Sequence, residues 1–473
     1  MRMTPFLAAL IALPMLAQAP TGSLDRLPNP RTMPAAKLQV SLPKVQSFSL
    51  SNGLRVLFIE DHDLPAVTLS AAFKAGSLED PKGKAGLASM TATLLRSGGT
   101  KRFTASQLDE TLEGLAADVE FGADTEQSGG YVHCFKKDAP QVLGLFAEML
   151  REPRFAEDRI AFVRNQTLSQ LKQMEDQPVQ VAVRGLRQML FNGKGQGHVS
   201  TPESVKAITE QDLRAFAKTW FVPNNMVIGL SGDLSLAEAK ALLKKAFGDW
   251  PKASLPAQAR GSEPTKAEPG LYLQAKAGLN QSVVLGGMQS MRDTDPDRVA
   301  LGAAFLVLGE GGMGNRLFNT IRTQHGLAYA AGSAAAFRNT VDGAFFGYAL
   351  TKGESTTKAL GLMREECQKL AAKGITPEEW ENAKRTLLNQ EVFAGATSRD
   401  VVSTAVQHTL FGQPLDTRAK RLEKLQGLSL EQVNEAVRRR FHPDQLRFYV
   451  LGDPAGFGEA KLESLGKVTP VKG

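Results

Sequence analysis

The chain is poor in the residues that build the commonest reactive sites. Of 473 residues only two are cysteine, Cys134 and Cys367, and only six are histidine, spread widely along the sequence. Two distant thiols cannot form the disulfide framework that holds small secreted domains together. The histidines form neither H-E-x-x-H nor H-x-x-E-H, in which two histidines of one helix bind zinc. These absences exclude a disulfide scaffold and leave no local metal motif.

Charge and hydrophobicity also lack long runs. The formal net charge is +7, and the densest basic cluster is only the three arginines at 438–440. So small and scattered an excess argues against nucleic acid as a partner. A hydrophobic content of 42% with 22% charged residues is ordinary for a globular protein. The apolar run over 6–16 is too short to span a bilayer.

The first residues have the pattern of a secretory signal. Arg2 precedes the apolar run, and Ala-Gln-Ala at 17–19 has the form of a cleavage site. We therefore predict a signal peptide over 1–19 and a proline-rich arm over 20–44. No cysteine follows the run, so a lipid anchor is not indicated. We expect a soluble periplasmic protein with no stable membrane anchor.

The remaining chain repeats itself. ITEQDLRAFAKTWFVPNN begins at Ile208 and LSLEQVNEAVRRRFHPDQ begins at Leu428, an offset of 220 residues. Each segment combines a helix cap, a helix and Phe-x-Pro, and is followed by a strand pattern that ends in Gly-Asp. We therefore predict two copies of one fold. The predicted parts are a first domain over 45–250, a Pro-rich linker over 251–269, a second domain over 270–455 and a tail over 456–473.

Each copy begins with strand patterns and continues with helix patterns. In the first copy, Asn52-Gly53 separates two segments of alternating hydrophobicity, which is a strong hairpin signal. Hairpin-linked strands followed by runs of helices are typical of the α+β class. We expect an antiparallel β-sheet in each domain, with α-helices packed on one face.

One of the predicted helices, within GLASMTATLLRSGGT at 86–100, has two very different faces. One face is apolar at the spacing of a buried helix side. Its residues are Leu87, Met90, Leu94 and Leu95. The other face includes Ser89, Ala92 and Thr93, which are small and chemically almost featureless.

Two other stretches are candidates for a site. Residues 309–314, GEGGMG, match G-x-G-x-x-G, but a helix pattern precedes them and Ala334 occupies the place of the acidic residue of a dinucleotide fold. We interpret them as a flexible loop between helices.

In 319–333, Arg322 lies near a helix end and Tyr329 begins a strand. Both could hold a peptide carbonyl or an oxyanion, although composition alone favours a helix-end cation and a strand aromatic.

Four stretches together resemble the insulinase-like zinc peptidases of family M16, in particular the short two-domain bacterial members related to mitochondrial processing peptidase. The resemblance spans about 45–453 and implies the two-domain fold of that family. The stretches are SLSNGLRVLFIED, FKAGSLEDPKGKAGLASMTATLLRSGGT, TPESVKAITEQDLRAFAKTWFVPNNMVIGLSGDL and GNRLFNTIRTQHGLAYAAGS.

The resemblance also implies that the metal site is degenerate. Active members carry H-x-x-E-H on the helix after the A-G-S strand, with a third ligand, a Glu, on a later helix. Here Ser89 and Thr93 stand at the histidine positions, Ala92 at the position of the catalytic base, and Gln170 near that of the distal ligand. Hydroxyls are poor zinc ligands, and a methyl group cannot accept a proton. We therefore expect no metal and no other cofactor in this chain.

Similar family members carry an Arg and, seven residues on, a Tyr that contact substrate across the cavity from zinc. Arg322 and Tyr329 match this spacing. The chain thus resembles the non-zinc subunit of a heterodimer in which a zinc-bearing M16 partner cuts a peptide or unfolded polypeptide. Two alternatives stay open. The chain could be a peptide-binding or scaffold protein for assembly with no peptidase role, or an active enzyme with a relocated metal.

The first prediction concerns zinc. The purified chain should contain no bound zinc and should cut no peptide by itself, because neither ligands nor base are present at the M16 positions. Plasma mass spectrometry after dialysis measures the metal, and a relative with intact H-x-x-E-H, treated identically, should retain one zinc per chain. An equivalent of zinc bound to this chain would contradict the prediction.

Overall fold

Two six-stranded sheets, one in each half of the chain, form the framework of the protein. A computed structural model describes residues 43–258 and 265–471. The predicted signal peptide, nearly all of the predicted arm and part of the linker lie outside these ranges. Within them, no helix is both long enough and apolar enough to cross a membrane.

The first sheet begins with the predicted hairpin, in which β1 and β2 pair antiparallel around Asn52-Gly53. Across the sheet the order is β1-β2-β6-β3-β5-β4, and the one parallel pair in it is β2 with β6. The last strand therefore enters beside β2 after a long helical crossover. The strands are β1 (Gln46–Ser49), β2 (Arg55–Glu60), β3 (Ala66–Phe73), β4 (Asp118–Ala123), β5 (Ser128–Phe135) and β6 (Met226–Gly232).

The second sheet repeats this arrangement, with the order β12-β7-β11-β8-β10-β9. Here β7 pairs parallel with both β11 and β12. Both sheets are thus mixed, although antiparallel pairs predominate. The residues that we expected to be a tail supply the edge strand β12, so the second domain extends beyond 455. The strands are β7 (Gly270–Ala275), β8 (Gln281–Gln289), β9 (Ala328–Ala336), β10 (Ala344–Lys352), β11 (Arg447–Gly452) and β12 (Val468–Pro470).

The helices follow the predicted repeat. The first half contains α1 (Leu87–Ser97), α2 (Ala105–Gly114), α3 (Ala139–Arg151), α4 (Glu157–Glu175), α5 (Pro178–Leu190), α6 (Pro202–Lys206), α7 (Glu210–Trp220) and α8 (Leu236–Phe247). The second half contains α9 (Arg298–Phe305), α10 (Thr356–Lys373), α11 (Pro377–Phe393), α12 (Ser398–Leu410), α13 (Thr417–Gly427) and α14 (Leu430–Arg440). Capping boxes at Thr209 and Ser429 start α7 and α14, which lie 220 residues apart, as do α5 and α12.

The equivalent helices α5 and α12 are exchanged between the halves. α5 buries Ala182, Leu186 and Leu190 against the second sheet, where they meet Leu285 of β8 and Tyr449 of β11. Each sheet therefore has helices of its own half on one face and one helix of the other half on the opposite face. The sequence pattern predicted helices on only one face of each sheet. The exchange adds a helix to the other face.

α12 makes the matching contact on the first sheet. It buries Val402 and Val406, each 1% exposed, against β2, β3 and β6. Gly229 of β6 permits the close approach, since a Cβ there would lie only 2.7 Å from the Cγ2 of Val406. A side chain at 229 would push the helix off the sheet.

A buried carboxylate joins the halves a second time. Glu126, in the turn between β4 and β5, accepts hydrogen bonds from the Asn339 amide at 2.9 Å and from the Thr340 hydroxyl at 2.6 Å. Asn339 and Thr340 lie in the β9–β10 loop, which is the equivalent hairpin of the second half. Glu126 is only 6% exposed, and its hydrogen bonds satisfy the buried carboxylate.

The two cysteines are separate and buried. Cys134 lies on β5 and Cys367 on α10, and both are free thiols. Burial raises the pKa of each thiol to about 12. Both therefore behave as small apolar core residues.

The exchanged helix predicts a large difference between two neighbouring substitutions. Leu186→Ala should lower the free energy of unfolding by about 2–5 kcal/mol, because it opens a cavity between α5 and the second sheet. Val183→Ala removes a side chain that is 38% exposed on the same helix and should cost less than about 1 kcal/mol. Urea titrations measure both values, and equal small losses would contradict the packing.

Candidate functional site

The predicted two-faced helix is α1. Its apolar face is buried in the core of the first half, with Leu87, Met90, Leu94 and Leu95 each at most 2% exposed. The fold therefore uses this face in full, as expected from its spacing.

A buried acid holds the start of α1. Both oxygens of the Asp80 carboxylate accept backbone hydrogen bonds, one from Gly86 and one from Ala88, each at 2.8 Å. These amides belong to the first turn, which has no partners within the helix. Burial raises the pKa of Asp80 to about 6, although the hydrogen bonds from the backbone amides lower it. Asp80 precedes the helix by several residues, and this spacing has no local signal in the sequence.

The second face of α1 offers nothing that binds a metal. Ser89 is exposed, Ala92 is fully buried, and the half-buried Thr93 donates its hydroxyl to the carbonyl of Ser89 at 3.0 Å. That hydroxyl is therefore used within its own helix. The side chain of Ala92, at the predicted position of the base, is a methyl group packed in the core.

The helix with the predicted distal ligand position, α4, lies beside α1. α4 contacts α1, and the Arg159 guanidinium of α4 donates to the Ser97 carbonyl at 2.7 Å. Gln170 is exposed on α4. The fold thus places the two helices that carry the four predicted M16 positions side by side, and the side chains at those positions do not fit zinc. Across 43–258 and 265–471, no group of three or more His, Cys, Asp or Glu residues could hold a metal ion.

In the second half, Arg322 lies on a π-helical segment, Phe318–Gln324, and not on the predicted ordinary helix. The buried Asn315 begins this segment, because its side-chain oxygen accepts the Phe318 amide at 2.8 Å. Its amide nitrogen donates to the Gly309 carbonyl at 3.0 Å. Asn315 therefore ties the glycine-rich loop to the start of the segment. π-helical turns are uncommon and often lie at functional sites.

The glycine-rich loop does not have the surroundings of a dinucleotide site. Its first two residues end a π-helical segment, Leu306–Glu310, and this segment follows a helix and not a strand. Gly309 packs directly on β9, where a Cβ would lie 2.1 Å from the Ser333 amide nitrogen. This close approach to the backbone of β9 explains why residue 309 is a glycine.

Arg322 and Tyr329 lie side by side. The Cζ of Arg322 lies 5.4 Å from the ring centroid of Tyr329, a cation–π distance. Tyr329 is on the edge strand β9 and is 75% exposed. In the described part of the chain, the Arg322 guanidinium has neither an ion pair nor a hydrogen bond. Its donors and the Tyr329 hydroxyl are therefore available to a ligand that carries oxygen acceptors.

Comparison with known families decides what this arrangement belongs to. The model described as "Insulinase (Peptidase family M16)" matches residues 55–202, and the model described as "Peptidase M16 inactive domain" matches residues 207–387. The chain belongs to the M16 peptidase family. The predicted resemblance is therefore confirmed, and so is the fold of two homologous halves.

Individual M16 proteins are similar over most of the chain. The non-peptidase homolog YmxG of Helicobacter pylori is 28% identical over 402 residues, which cover 84% of this chain and 91% of that protein. A crystal structure of a peptidase M16 inactive domain from Pseudomonas fluorescens has a TM-score of 0.79 at 26% identity and covers 87% of this chain and 98% of its own. The periplasmic protease PqqL of Escherichia coli shares the fold, with a TM-score of 0.69 at 18% identity, over 87% of this chain and 48% of its own.

Family and geometry lead to one statement about the site. This is a member of the M16 family whose α1 presents Ser89, Ala92 and Thr93 on its second face, while Arg322 and Tyr329 of the second half are adjacent and exposed.

The Asp80 cap predicts a specific pH dependence. The unfolded chain releases this proton near the ordinary pKa of 3.8, whereas the folded chain holds it up to about 6. The contribution of Asp80 to the free energy of unfolding should therefore fall as the pH rises between these values and then stay level. Other carboxyls, such as those of Asp293 and Asp297, have lowered pKa values and act in the opposite direction, so the contribution is measured as a difference between variants. In urea titrations, the free energy of wild type minus that of Asp80→Asn should fall across this range. The Asp63→Asn control, which removes an exposed carboxylate, should follow the wild type, and a difference between wild type and Asp80→Asn that does not change with pH would contradict the assignment.

Proposed function

We propose that this chain is the zinc-less subunit of a periplasmic M16 peptidase heterodimer. A zinc-bearing M16 partner would supply H-x-x-E-H, and this chain would supply Arg322 and Tyr329 to bind the peptide substrate. The observation that carries the proposal is an asymmetry between two equally well-folded regions. α1 keeps its core face but has no metal chemistry, whereas Arg322 and Tyr329 are adjacent, exposed and free to bind.

Chemically, the two side chains suit an extended peptide. The guanidinium presents several N–H donors in a fixed plane, and the phenol adds a donor that can also accept. They can orient a substrate and offset negative charge that develops on it during cleavage by the partner. This chain would act on binding and positioning, while water activation belongs to the partner's zinc.

Two further observations support the pairing and the compartment. This chain has Ser89, Thr93 and Gln170 at the expected ligand positions and Ala92 at that of the base. It therefore needs a second subunit before its Arg-Tyr pair can take part in hydrolysis. The signal-like pattern over 1–19 favours export, and PqqL, which shares the fold, is described as periplasmic.

The test is a reconstituted pair. The native protein is purified with its partner, the partner is identified by mass spectrometry, and Arg322→Ala is then placed in this chain only. We expect kcat/KM to fall about tenfold or more, since hydrogen bonds to a charged group are lost, with assembly unchanged by sedimentation. Arg438→Ala is the matched control, because it removes an exposed arginine on α14 that pairs with Glu431.

Two outcomes would contradict the proposal. Full activity of the Arg322→Ala pair would remove the assigned role. A homodimer that binds peptide, with no zinc-bearing M16 protein recovered, would favour the alternative of a peptide-binding or scaffold protein without a peptidase role.

A further inference from the structure

A second aromatic ring lies beside Arg322. The Cζ of Arg322 is 4.9 Å from the ring centroid of Phe318 and 5.4 Å from that of Tyr329. Phe318 and Arg322 are four residues apart on the π-helical segment, so they share a face of it. One guanidinium is therefore attracted to two rings.

This way of holding an arginine has a consequence for binding. Several other arginines of the chain are fixed by carboxylates, as Arg316 is by Glu379, with an N–H donor of Arg316 at 2.6 Å from the carboxylate. A carboxylate partner uses the donors and offsets the charge. Aromatic rings attract the cation through their faces and leave its N–H donors unused.

The segment that carries Phe318 is itself well fixed. Asn315 accepts the Phe318 amide, and the buried Glu366 of α10 accepts the Thr320 hydroxyl at 3.2 Å from behind the segment. The Phe318 side chain is half-buried, and its ring therefore has a more restricted position than the exposed Arg322. The Phe318 ring can therefore serve as a fixed surface that holds the guanidinium of Arg322.

We propose that Phe318 is a positioning residue that holds Arg322 for a substrate carboxylate. The proposal rests on the proposed function, because the ligand is a peptide. A carboxylate matches the planar fork of a guanidinium with two parallel hydrogen bonds, whereas a neutral carbonyl oxygen accepts at one point. Within 43–258 and 265–471, no carboxylate forms an ion pair with Arg322. A substrate carboxylate would supply this missing negative charge.

The carboxylate could come from an acidic side chain or from a peptide C-terminus. Fluorescence polarisation distinguishes them with four short labelled peptides of Ala, Gly and Ser that carry one central Glu or Gln and end in a free acid or an amide. We expect the wild-type chain to bind at least one carboxylate form about tenfold more tightly than the Gln-amide peptide. Equal affinity for all four peptides would overturn the carboxylate assignment.

Substitutions of Phe318 test the positioning role. Phe318→Leu should weaken binding of the preferred peptide roughly two- to fivefold, and Phe318→Tyr, which keeps the ring, should restore it. Phe337→Leu is the matched control, because it removes a different ring that lies 3.8 Å from the Arg298 guanidinium. Wild-type affinity in Phe318→Leu, or equal losses in Phe318→Leu and Phe337→Leu, would overturn the role.

A spectroscopic readout separates this inference from the proposed function. With labelled arginine, the side-chain signals of Arg322, assigned by their loss in Arg322→Ala, should move when Phe318 becomes Leu, because the ring current is removed. If Arg322→Ala leaves the binding of every peptide unchanged, the proposed function fails. If Arg322→Ala weakens binding but Phe318→Leu changes neither affinity nor the Arg322 signals, only the positioning inference fails.

Discussion

The exchange of α5 and α12 between the two halves is the constraint on which the rest of the structure depends. Each sheet needs cover on the face that its own helices leave open, and each receives it from the other half. Because the same two apolar faces are buried reciprocally, the sheets cannot separate without exposing both. α4, which carries Gln170, directly precedes α5 in the chain. It is therefore connected to a helix that packs on the second sheet. The Glu126 hydrogen bonds add a polar connection between equivalent hairpins.

This architecture explains how α1 can be packed completely without metal-binding side chains on its second face. The buried residues of α1 serve the core, and Asp80 satisfies the amides at its start. Ser89 and Thr93 contribute to neither task, and the fully buried Ala92 fills its position with only a methyl group. The face is thus chemically empty and structurally complete. In the second half, specific side-chain contacts fix the segment around Arg322. Asn315 and Glu366 accept hydrogen bonds from it, and two aromatic rings lie beside the guanidinium of Arg322.

Much of the fold could be predicted from local patterns. The Asn52-Gly53 hairpin, the capped helices at Thr209 and Ser429, the buried stripe of α1 and the repeat with its offset of 220 residues all depend on neighbouring residues, and all were found. The positions of Arg322 and Tyr329 could be matched to a family spacing. The π-helical form of Phe318–Gln324 could not, because it depends on a buried side chain, Asn315, and on packing against α10 and β9.

What the sequence by itself determined is therefore the set of elements, their repetition and the chemical emptiness of one helix face, since these depend on residue type and spacing. Tertiary structure alone decided the partners of those elements. The parallel pairs, the use of Val468–Pro470 as an edge strand, the exchanged helices and the burial of Glu126 and Asp80 all join residues that are not sequence neighbours. Such contacts depend on which surfaces are left uncovered once the chain is compact, and no local pattern records that.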